Sequence, residues 1–202
     1  MNLVIIDYGS GNLRSASKAL EKVKSSGSTV CVTKDPDLVA SADYLILPGV
    51  GAFPDCKKGI TALPGMIDAI AENVVSKGRP FMGICVGMQL MSAIGHEYET
   101  TSGFGWLPGE VIKIETELKL PHMGWNTVEG TGLLFNDIDT NSHFYLVHSF
   151  YTVPNDNMVG ACKYDVCFAA ALAKDNFYGT QFHPEKSQSG GLRLLKNFSR
   201  IN

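Results

Sequence analysis

The amino-acid sequence predicts an α/β fold with a mostly parallel central sheet, flanking helices and an added smaller antiparallel sheet. Short apolar runs alternate with amphipathic helical patterns up to about residue 93, which is typical of parallel strands joined by helices. After about Tyr98 the pattern changes to short alternating strands separated by turn residues. A chain of 202 residues, 45% of them hydrophobic, is long enough for one such domain and short for two. We therefore expect a single domain over residues 1–202.

Charge and cysteine content narrow the class of protein. The net charge of −3 is not accompanied by a basic run, so a nucleic-acid partner is not expected. No apolar run is long enough to cross a membrane, and the N-terminus lacks the basic start and apolar core of a signal peptide. The five cysteines have no framework spacing, and we expect Cys162 and Cys167 to be strand residues rather than metal ligands. These features favour a cytoplasmic protein without a metal or cofactor.

The first half of the chain supplies strand–helix units. We predict strands at 3–7, 28–33, 44–47 and 81–84, and helices at 13–23, 63–76 and 86–93. A glycine-rich turn at 7–12 joins the first strand to the first helix. Its G-x-G pattern lacks the third glycine of a dinucleotide-binding loop and the acidic residue after the next strand. We therefore interpret Asn12 and Arg14 as surface polar groups that are available to a partner.

The second half is rich in strands. They are predicted at 110–114, 121–128, 143–151, 158–163, 166–174 and 177–182, followed by a closing helix marked by Leu192, Leu195 and Phe198. The strand at 121–128 has an unusual content of aromatic and histidine residues. No shift in composition marks a domain boundary, and the sequence contains no internal repeat. The second half therefore belongs to the same predicted domain.

The stretch around Cys85 indicates a catalytic nucleophile. Gly83 and Gly87 flank it between a predicted buried strand and a predicted helix, which is the cysteine version of a nucleophile elbow. Such a turn holds its central residue in a strained backbone conformation, and small neighbours avoid collisions with it. A helix start also favours a thiolate through the backbone dipole. The alternative is a buried structural cysteine beside incidental glycines.

A second stretch supplies a base and an acid that orients it. Alternation from 177 to 182 predicts a strand that ends at His183. Pro184 disfavours helical geometry at the residue before it, so His183 is expected to stay extended. Glu185 can then reach one ring nitrogen of His183 and leave the other free. A lone His-Pro-Glu is more often part of a turn, but with Cys85 it completes a Cys-His-Glu set for acyl transfer.

The end of the third strand offers an oxyanion hole. Gly49 and Gly51 surround Val50, and their freedom would allow the intervening peptide to invert and present an N–H group to a developing oxyanion. The second donor would be the N–H of Val86, the residue after the nucleophile. An ordinary glycine-rich turn explains the same residues equally well, so both interpretations stay open here.

With these three stretches in order, the whole chain resembles the class I, or triad, glutamine amidotransferases. The resemblance implies that Cys85 attacks the side-chain amide of glutamine and forms a glutamyl thioester. His183 would pass a proton to the leaving ammonia and then activate water, while Glu185 would orient His183. The residues implied to bind the substrate are Gly51, Gln89, Glu97, Ser149 and Phe150. Phe150 stands where the family commonly has tyrosine, which changes little if only the backbone is used there.

Four stretches, at 7–13, 48–53, 121–126 and 183–187, resemble the glutaminase subunits of imidazole glycerol phosphate synthase. The run His-Met-Gly-Trp-Asn at 122–126 is the most specific of them. In that family a (β/α)8-barrel cyclase receives the ammonia and makes imidazole glycerol phosphate and AICAR in histidine biosynthesis. The resemblance therefore implies a heterodimer with a cyclase subunit. The residues implied to line its interface are Asn12, Arg14, Met123, Trp125, Asn126, Tyr145 and Lys186.

The same resemblance implies a regulated site, because the family's glutaminase is poorly active until the cyclase binds its substrate. We expect the resting protein to keep the Val50 N–H turned away from the substrate, and a partner contact to invert that peptide. Met, Trp, Tyr and Arg side chains are typical of a buried contact patch. For Met123 and Trp125 the alternative is ordinary core packing.

Three other functions compete with this one. A glutaminase subunit for anthranilate or pyridoxal phosphate synthesis would share the chemistry but would not need the run at 122–126. An inactive binding subunit would have no chemical need for Cys85, His183 and Glu185 together. A cysteine hydrolase of unrelated fold would leave the turn at 49–51 and Gln89 unexplained.

Overall fold

The computed structural model describes residues 1–201. The strands are β1 (Asn2–Ile6), β2 (Thr29–Thr33), β3 (Tyr44–Gly49), β4 (Phe81–Cys85), β5 (Ile94–Gly95), β6 (Thr101–Ser102), β7 (Glu110–Lys113), β8 (His122–Thr127), β9 (Glu129–Gly130), β10 (His143–His148), β11 (Phe150–Thr152), β12 (Met158–Tyr164), β13 (Val166–Lys174) and β14 (Phe177–Thr180). The helices are α1 (Leu13–Val23), α2 (Pro36–Ala40), α3 (Phe53–Thr61), α4 (Met66–Ala71), α5 (Val86–Gln89) and α6 (Gln188–Phe198). A π-helical turn (Glu72–Ser76) continues α4, and 3-10 turns lie at Leu133–Phe135 and Pro184–Lys186.

The main sheet has eight strands in the order β2-β1-β3-β4-β14-β13-β12-β9. The strands from β2 to β14 run parallel, and β13, β12 and β9 are each antiparallel to the preceding neighbour. Every residue of β3 and β4 is buried, which is why these strands read as continuous apolar runs in the sequence. Helix α1 packs against α6, while α2 and α3 pack against α4. The predicted α/β class is confirmed.

Two smaller sheets complete the fold. Strands β8 and β10 form an antiparallel pair, and a second sheet has the order β11-β7-β5-β6. Within the second sheet β5 and β7 are parallel, and the other two pairs are antiparallel. The prediction of an added smaller sheet is therefore confirmed, but the structure has two smaller sheets instead of one.

The predicted strand at 143–151 is two strands in different sheets. β10 pairs with β8, and β11 pairs with β7. Between them, the carbonyl of Ser149 accepts a hydrogen bond from the Ile114 N–H at 2.9 Å. Thr152 is buried in the same phase as the buried residues of β10, and Phe150, the one position of that phase between them, is half-buried, so the phase of the pattern does not reveal the change of partner.

Two predicted helices are shorter than expected. The helix after Cys85 ends at Gln89 instead of residue 93, because the Met91 and Ser92 N–H groups donate to carbonyls only three residues back and the Ala93 N–H donates to the Gly109 carbonyl oxygen instead of that of Gln89. The helix predicted at 63–76 starts only at Met66, after Gly65 in a left-handed conformation (φ 73°), and ends as the π-helical turn. Long-range hydrogen bonds and a glycine turn thus override the helical pattern.

Cys162 and Cys167 lie in β12 and β13, which confirms that they are strand residues. All five cysteines are free thiols. Within residues 1–201, no helix combines the length and the apolar character that a membrane span requires.

Candidate active site

The nucleophile elbow predicted around Cys85 forms at the junction of β4 and α5. Cys85 has φ 56° and ψ −111°, a strained conformation for a residue with a side chain. A Cβ atom at Gly83 would lie 2.4 Å from the Gly87 carbonyl oxygen, and one at Gly87 would lie 1.8 Å from the Leu47 carbonyl oxygen. Both glycines are therefore required by backbone contacts, and the turn holds Cys85 in place.

Sheet order brings the three predicted stretches together. β4 lies between β3 and β14, and all three strands are parallel. Their carboxyl ends therefore meet at one edge of the sheet, where parallel α/β folds place their sites. Gly49 pairs with Cys85 across β3 and β4, so the turn that follows Gly49 lies beside the elbow. The chain after β14 leads to His183 at the same edge.

His183 and Glu185 form a buried pair. His183 is extended (φ −98°, ψ 95°), as Pro184 predicts, and Glu185 lies in the 3-10 turn that follows. Nδ1 of His183 lies 2.8 Å from Oε1 of Glu185, and the two side chains are only 2% and 1% exposed. Nε2 of His183 is buried without a hydrogen-bond partner in the described part of the chain. Glu185 thus orients the ring through Nδ1, and Nε2 is available for proton transfer.

Opposing effects determine the pKa of His183. Burial lowers the pKa, but the Cys85 thiolate and the Glu185 carboxylate outweigh burial and raise it from 6.5 to about 10. His183 is therefore an imidazolium at neutral pH, the form that can protonate a leaving group. Because this pKa is raised on folding, the stabilisation from the protonated ring is complete below pH 6.5 and is lost as the pH rises through about 10.

A cavity of about 190 Å³ opens beside Cys85 and His183. It is lined by Val50, Gly51, Cys85, Val86, Gln89, Glu97, Val147, His148, Ser149, Phe150 and His183. All the residues predicted to bind substrate or an oxyanion thus line one cavity together with the predicted nucleophile and base. Glu97 also accepts a hydrogen bond from the Phe53 N–H at 2.9 Å, and burial raises the pKa of its carboxyl group, opposed by that hydrogen bond.

The Val50 backbone is held by a side chain that the sequence analysis did not single out. The Ser10 hydroxyl oxygen accepts a hydrogen bond from the Val50 N–H at 3.1 Å and donates to the Val50 carbonyl oxygen at 2.5 Å. The Cys56 thiol also donates to that carbonyl oxygen, at 3.4 Å. The Val50 N–H is thus already engaged in a hydrogen bond with Ser10. The glycine-rich turn at 7–12 gave no signal for this contact, because strand order alone brings Ser10 to Val50.

Gln181 is a site residue that the sequence analysis missed, and Asn12, predicted as a surface group available to a partner, has a contact within the site that was not predicted. Asn12 is half-buried, and its Nδ2 donates to Glu185 Oε1 at 3.2 Å. Gln181 is fully buried, and its Nε2 donates to Cys85 Sγ at 3.7 Å. Its Oε1 accepts from Gln89 Nε2 at 2.9 Å. Asn12 therefore helps to hold the Glu185 side chain, and Gln181 contacts Cys85.

The residues predicted to line a partner interface mostly lie on the surface near this edge. Met123 is 62% exposed and Trp125 is 48% exposed, so the core-packing alternative for both is wrong. The Tyr145 ring lies 6.1 Å from that of Trp125, and Lys186 Nζ lies 5.7 Å from the Tyr145 ring centre. Arg14 is exposed, whereas Asn126 is half-buried and donates to the Lys163 carbonyl oxygen at 2.9 Å.

A cysteine on a strained elbow and a buried His–Glu pair at one cavity are the arrangement expected of α/β enzymes with a cysteine nucleophile. Solved structures agree in fold. A glutamine amidotransferase structure superposes with a TM-score of 0.75 at 16% identity and covers 98% of this chain and 99% of its own. PurLQS from Thermotoga maritima gives a TM-score of 0.72 at 20% identity, with coverage of 98% and 96%.

Sequence comparisons are more specific. The sequence model of glutamine amidotransferase class-I matches residues 4–201. Proteins named imidazole glycerol phosphate synthase subunit HisH are 44% identical in Rhodospirillum rubrum, over 99% of both chains, and 48% identical in Ruegeria pomeroyi, over 98% of both. The protein with that name in Agrobacterium fabrum is 46% identical over 99% of both chains. The chain therefore belongs to the class-I glutamine amidotransferases and, among them, to the HisH family.

Proposed function

We propose that this chain is the glutaminase subunit of an imidazole glycerol phosphate synthase, acting as one domain over residues 1–202. The observation that carries the proposal is the buried His183–Glu185 pair at 2.8 Å, which lies at the same cavity as Cys85 on its elbow. The full-length relatives named as synthase subunits support the choice of this synthase over one for anthranilate or pyridoxal phosphate.

The proposed reaction starts from the Cys85 thiolate and the His183 imidazolium. Sγ forms a bond to the side-chain amide carbon of glutamine, and the carbon–nitrogen bond breaks as His183 protonates the nitrogen, which leaves as ammonia. Neutral His183 then takes a proton from water while the water oxygen bonds to the thioester carbon. The carbon–sulfur bond breaks, glutamate leaves, and the thiolate–imidazolium pair is restored. Glu185 keeps the ring oriented throughout.

Substrate contacts follow from the cavity. The Gln89 side chain uses its Nε2 to donate to the Phe150 carbonyl oxygen at 3.0 Å and to Gln181 Oε1, so its Oε1 is the atom available to accept from glutamine. The Glu97 carboxylate suits the amino group of the substrate. The backbone of Ser149 and Phe150 lines the same cavity. Together these groups present acceptors to the donor groups of glutamine.

The proposed partner is a (β/α)8-barrel cyclase that receives the ammonia. Its proposed docking surface consists of Asn12, Arg14, Met123, Trp125, Asn126, Tyr145 and Lys186. Exposed Trp and Met side chains at such a surface are typical of interface centres. The surface lies close to the reacting groups, since the His183 N–H donates to the Tyr145 carbonyl oxygen at 2.9 Å. A partner there could both receive ammonia and influence the site.

The experiment that tests the proposed function is glutamate release by the purified chain, alone and with a cyclase subunit plus its ribulotide ligand. We expect a rise of about 100-fold or more, because one oxyanion donor alone is worth roughly 10²–10³ in kcat. Equally rapid release with and without the cyclase would support glutaminase activity but would exclude the assignment to imidazole glycerol phosphate synthase. No release from a complex that forms would instead favour an inactive binding subunit.

The proposed oxyanion hole uses the N–H of Val50 or Gly51 together with that of Val86. The Val50 N–H donates to Ser10, so that hydrogen bond has to break before this donor can reach the substrate. Gly51 has φ 97°, and a Cβ atom there would meet nothing within 4 Å, which leaves this turn room to rearrange. We therefore propose that Ser10 stabilises the resting conformation and that the cyclase shifts it.

Replacing Ser10 with alanine tests this resting conformation. The hydrogen bond from the Val50 N–H to Ser10, which inversion has to break, is worth about 0.5–1.5 kcal/mol, so the glutamate release of the chain alone should rise roughly three- to tenfold as more molecules adopt the inverted peptide. The cyclase-stimulated rate should stay within about twofold, because the stimulated enzyme has already inverted it. Ser41→Ala is the matched control, since Ser41 bonds only to carbonyls of α2. An unchanged basal rate in Ser10→Ala would contradict the proposal.

A further inference from the structure

A chain of hydrogen bonds runs from β8 to the substrate cavity through two histidines. Asn126 Nδ2 lies 3.2 Å from His122 Nε2, and His122 Nδ1 lies 3.1 Å from His148 Nε2. His148 Nδ1 lies 2.9 Å from the Phe150 carbonyl oxygen. Both histidines are buried, at 4% and 6% exposure. His148 also lines the cavity, yet the proposed reaction has no role for either ring.

Backbone groups at the two ends determine the direction of every hydrogen bond in this chain. The Phe150 carbonyl can only accept, so His148 carries its proton on Nδ1 and accepts at Nε2. His122 must then donate from Nδ1, which leaves its Nε2 as an acceptor. At the other end Asn126 Oδ1 accepts from the Thr127 N–H at 2.8 Å, so Asn126 Nδ2 is the donor to His122. Both neutral rings are therefore Nδ1–H tautomers.

The surroundings keep both rings neutral. Burial lowers the pKa of His122, and burial lowers the pKa of His148 to about 3, opposed only by its hydrogen bond to the Phe150 carbonyl. The His122 ring stacks on Tyr164 with centroids 4.0 Å apart, and the His148 ring packs edge-on against Phe168 at 4.8 Å. Neutral rings in a packed environment have one hydrogen-bond pattern and one position.

The Phe150 carbonyl oxygen joins this chain to the substrate-binding residues. It accepts both from His148 and from Gln89 Nε2, at 3.0 Å. Gln89 in turn donates to Gln181, which donates to Cys85 Sγ at 3.7 Å. The position of one carbonyl group therefore depends on His148 and affects the side chain that contacts glutamine in the proposed function.

We propose that His122 and His148 are positioning residues, a pair of neutral Nδ1–H rings that fixes the 148–150 segment and Gln89 for substrate binding. Their assignment to glutamine binding rests on the proposed function, whereas their tautomers do not. The pair connects Asn126, on the proposed docking surface, with the substrate cavity. It acts through Phe150 and Gln89 and touches no reacting atom.

The first test reads the tautomers directly. Long-range ¹H–¹⁵N spectra of the full chain at neutral pH distinguish protonated from bare ring nitrogens, and His122→Gln and His148→Gln assign the signals. We expect a protonated Nδ1 and a bare Nε2 in both rings. A protonated Nε2 in either ring would overturn the proposal. Glutaminase activity plays no part in this measurement.

The second test compares two substitutions at His122. In His122→Asn the amide nitrogen occupies the place of Nδ1 and can still donate to His148, whereas His122→Gln places its nitrogen at the position of Nε2 and cannot. With the cyclase present, we expect KM for glutamine to rise about tenfold in His122→Gln with kcat within about threefold, and both constants to stay within about threefold in His122→Asn. An unchanged KM in His122→Gln would overturn the positioning role.

A third readout separates failure of this inference from failure of the proposed function. The side-chain NH2 signals of Gln89 should shift in His122→Gln and stay in place in His122→Asn, whether or not the chain releases glutamate. If the wild-type complex releases none, the proposed function fails, and these signals still decide the positioning role. Gln89 signals that respond equally to both substitutions would overturn it.

Discussion

Replacing Cys85 with alanine is expected to abolish glutamate release, by a factor on the order of 10⁴ or more, because the proposed reaction loses the atom that bonds to the amide carbon. The fold and the cyclase complex should be retained, since alanine adds no atoms to the elbow. The measurement is cyclase-stimulated glutamate release together with complex formation. Cys162→Ala is the matched control, because Cys162 is a buried thiol in β12, away from the cavity. Stimulated release in Cys85→Ala near the wild-type rate would exclude Cys85 as the nucleophile.

The same variant tests the electrostatics of the site. The Cys85 thiolate contributes to raising the pKa of His183 to about 10 against the effect of burial. Without the thiolate, burial and Glu185 remain, so the pKa of His183 should fall. NMR titration of the His183 ring would show the imidazolium losing its proton at a lower pH than in the wild-type chain. A pKa of His183 that is the same in both would show that the thiolate is not its main charged partner.

Replacing Gly87 with alanine should destabilise the protein more than any other addition of a single methyl group in the active-site region. The new Cβ would lie 1.8 Å from the Leu47 carbonyl oxygen, and a backbone atom of the buried strand β3 cannot move aside without breaking the sheet. We expect the free energy of unfolding to fall by more than about 4 kcal/mol, or the chain to be insoluble. Chemical denaturation followed by circular dichroism measures the change.

Gly190→Ala provides the control for that experiment. Gly190 lies in α6, and its Cβ would meet the Phe144 ring at 3.6 Å, an ordinary contact. Because alanine favours a helix more than glycine does, this variant should be unchanged or more stable by roughly 0.5–1 kcal/mol. A Gly87→Ala chain with the denaturation midpoint of the wild type would show that the elbow tolerates a side chain, contrary to its backbone geometry.

The features of this protein that depend on residues close together in the chain could be predicted from local sequence rules. The strand–turn–helix around Cys85 could be predicted because the G-x-C-x-G pattern is itself local, although the contact that requires Gly87 comes from Leu47 in β3. The contact between His183 and Glu185 could be predicted because Pro184 restricts the backbone between them. The parallel strands could be predicted because burial on both faces makes them apolar throughout.

Contacts between distant segments could not be predicted in this way. The strand predicted at 143–151 splits at Ser149 because two different sheets supply its partners, and the helix after Cys85 stops because the Ala93 N–H donates to the distant Gly109 carbonyl oxygen. Hydrogen bonds from Val50 to Ser10 and from Asn12 to Glu185 join residues 40 and 173 positions apart. No periodicity in the sequence records such pairs.

The sequence by itself determined the α/β class, the elbow, and the identity of the candidate nucleophile, base and acid, because each is encoded by residues that are close in the chain. Only the tertiary structure decided how the Val50 peptide is held, which side chains support the His183–Glu185 pair, and that His122 and His148 join β8 to the cavity. The physical reason is that hydrogen-bond direction in a buried network depends on which backbone groups terminate it. Strand order and sheet packing determine those groups.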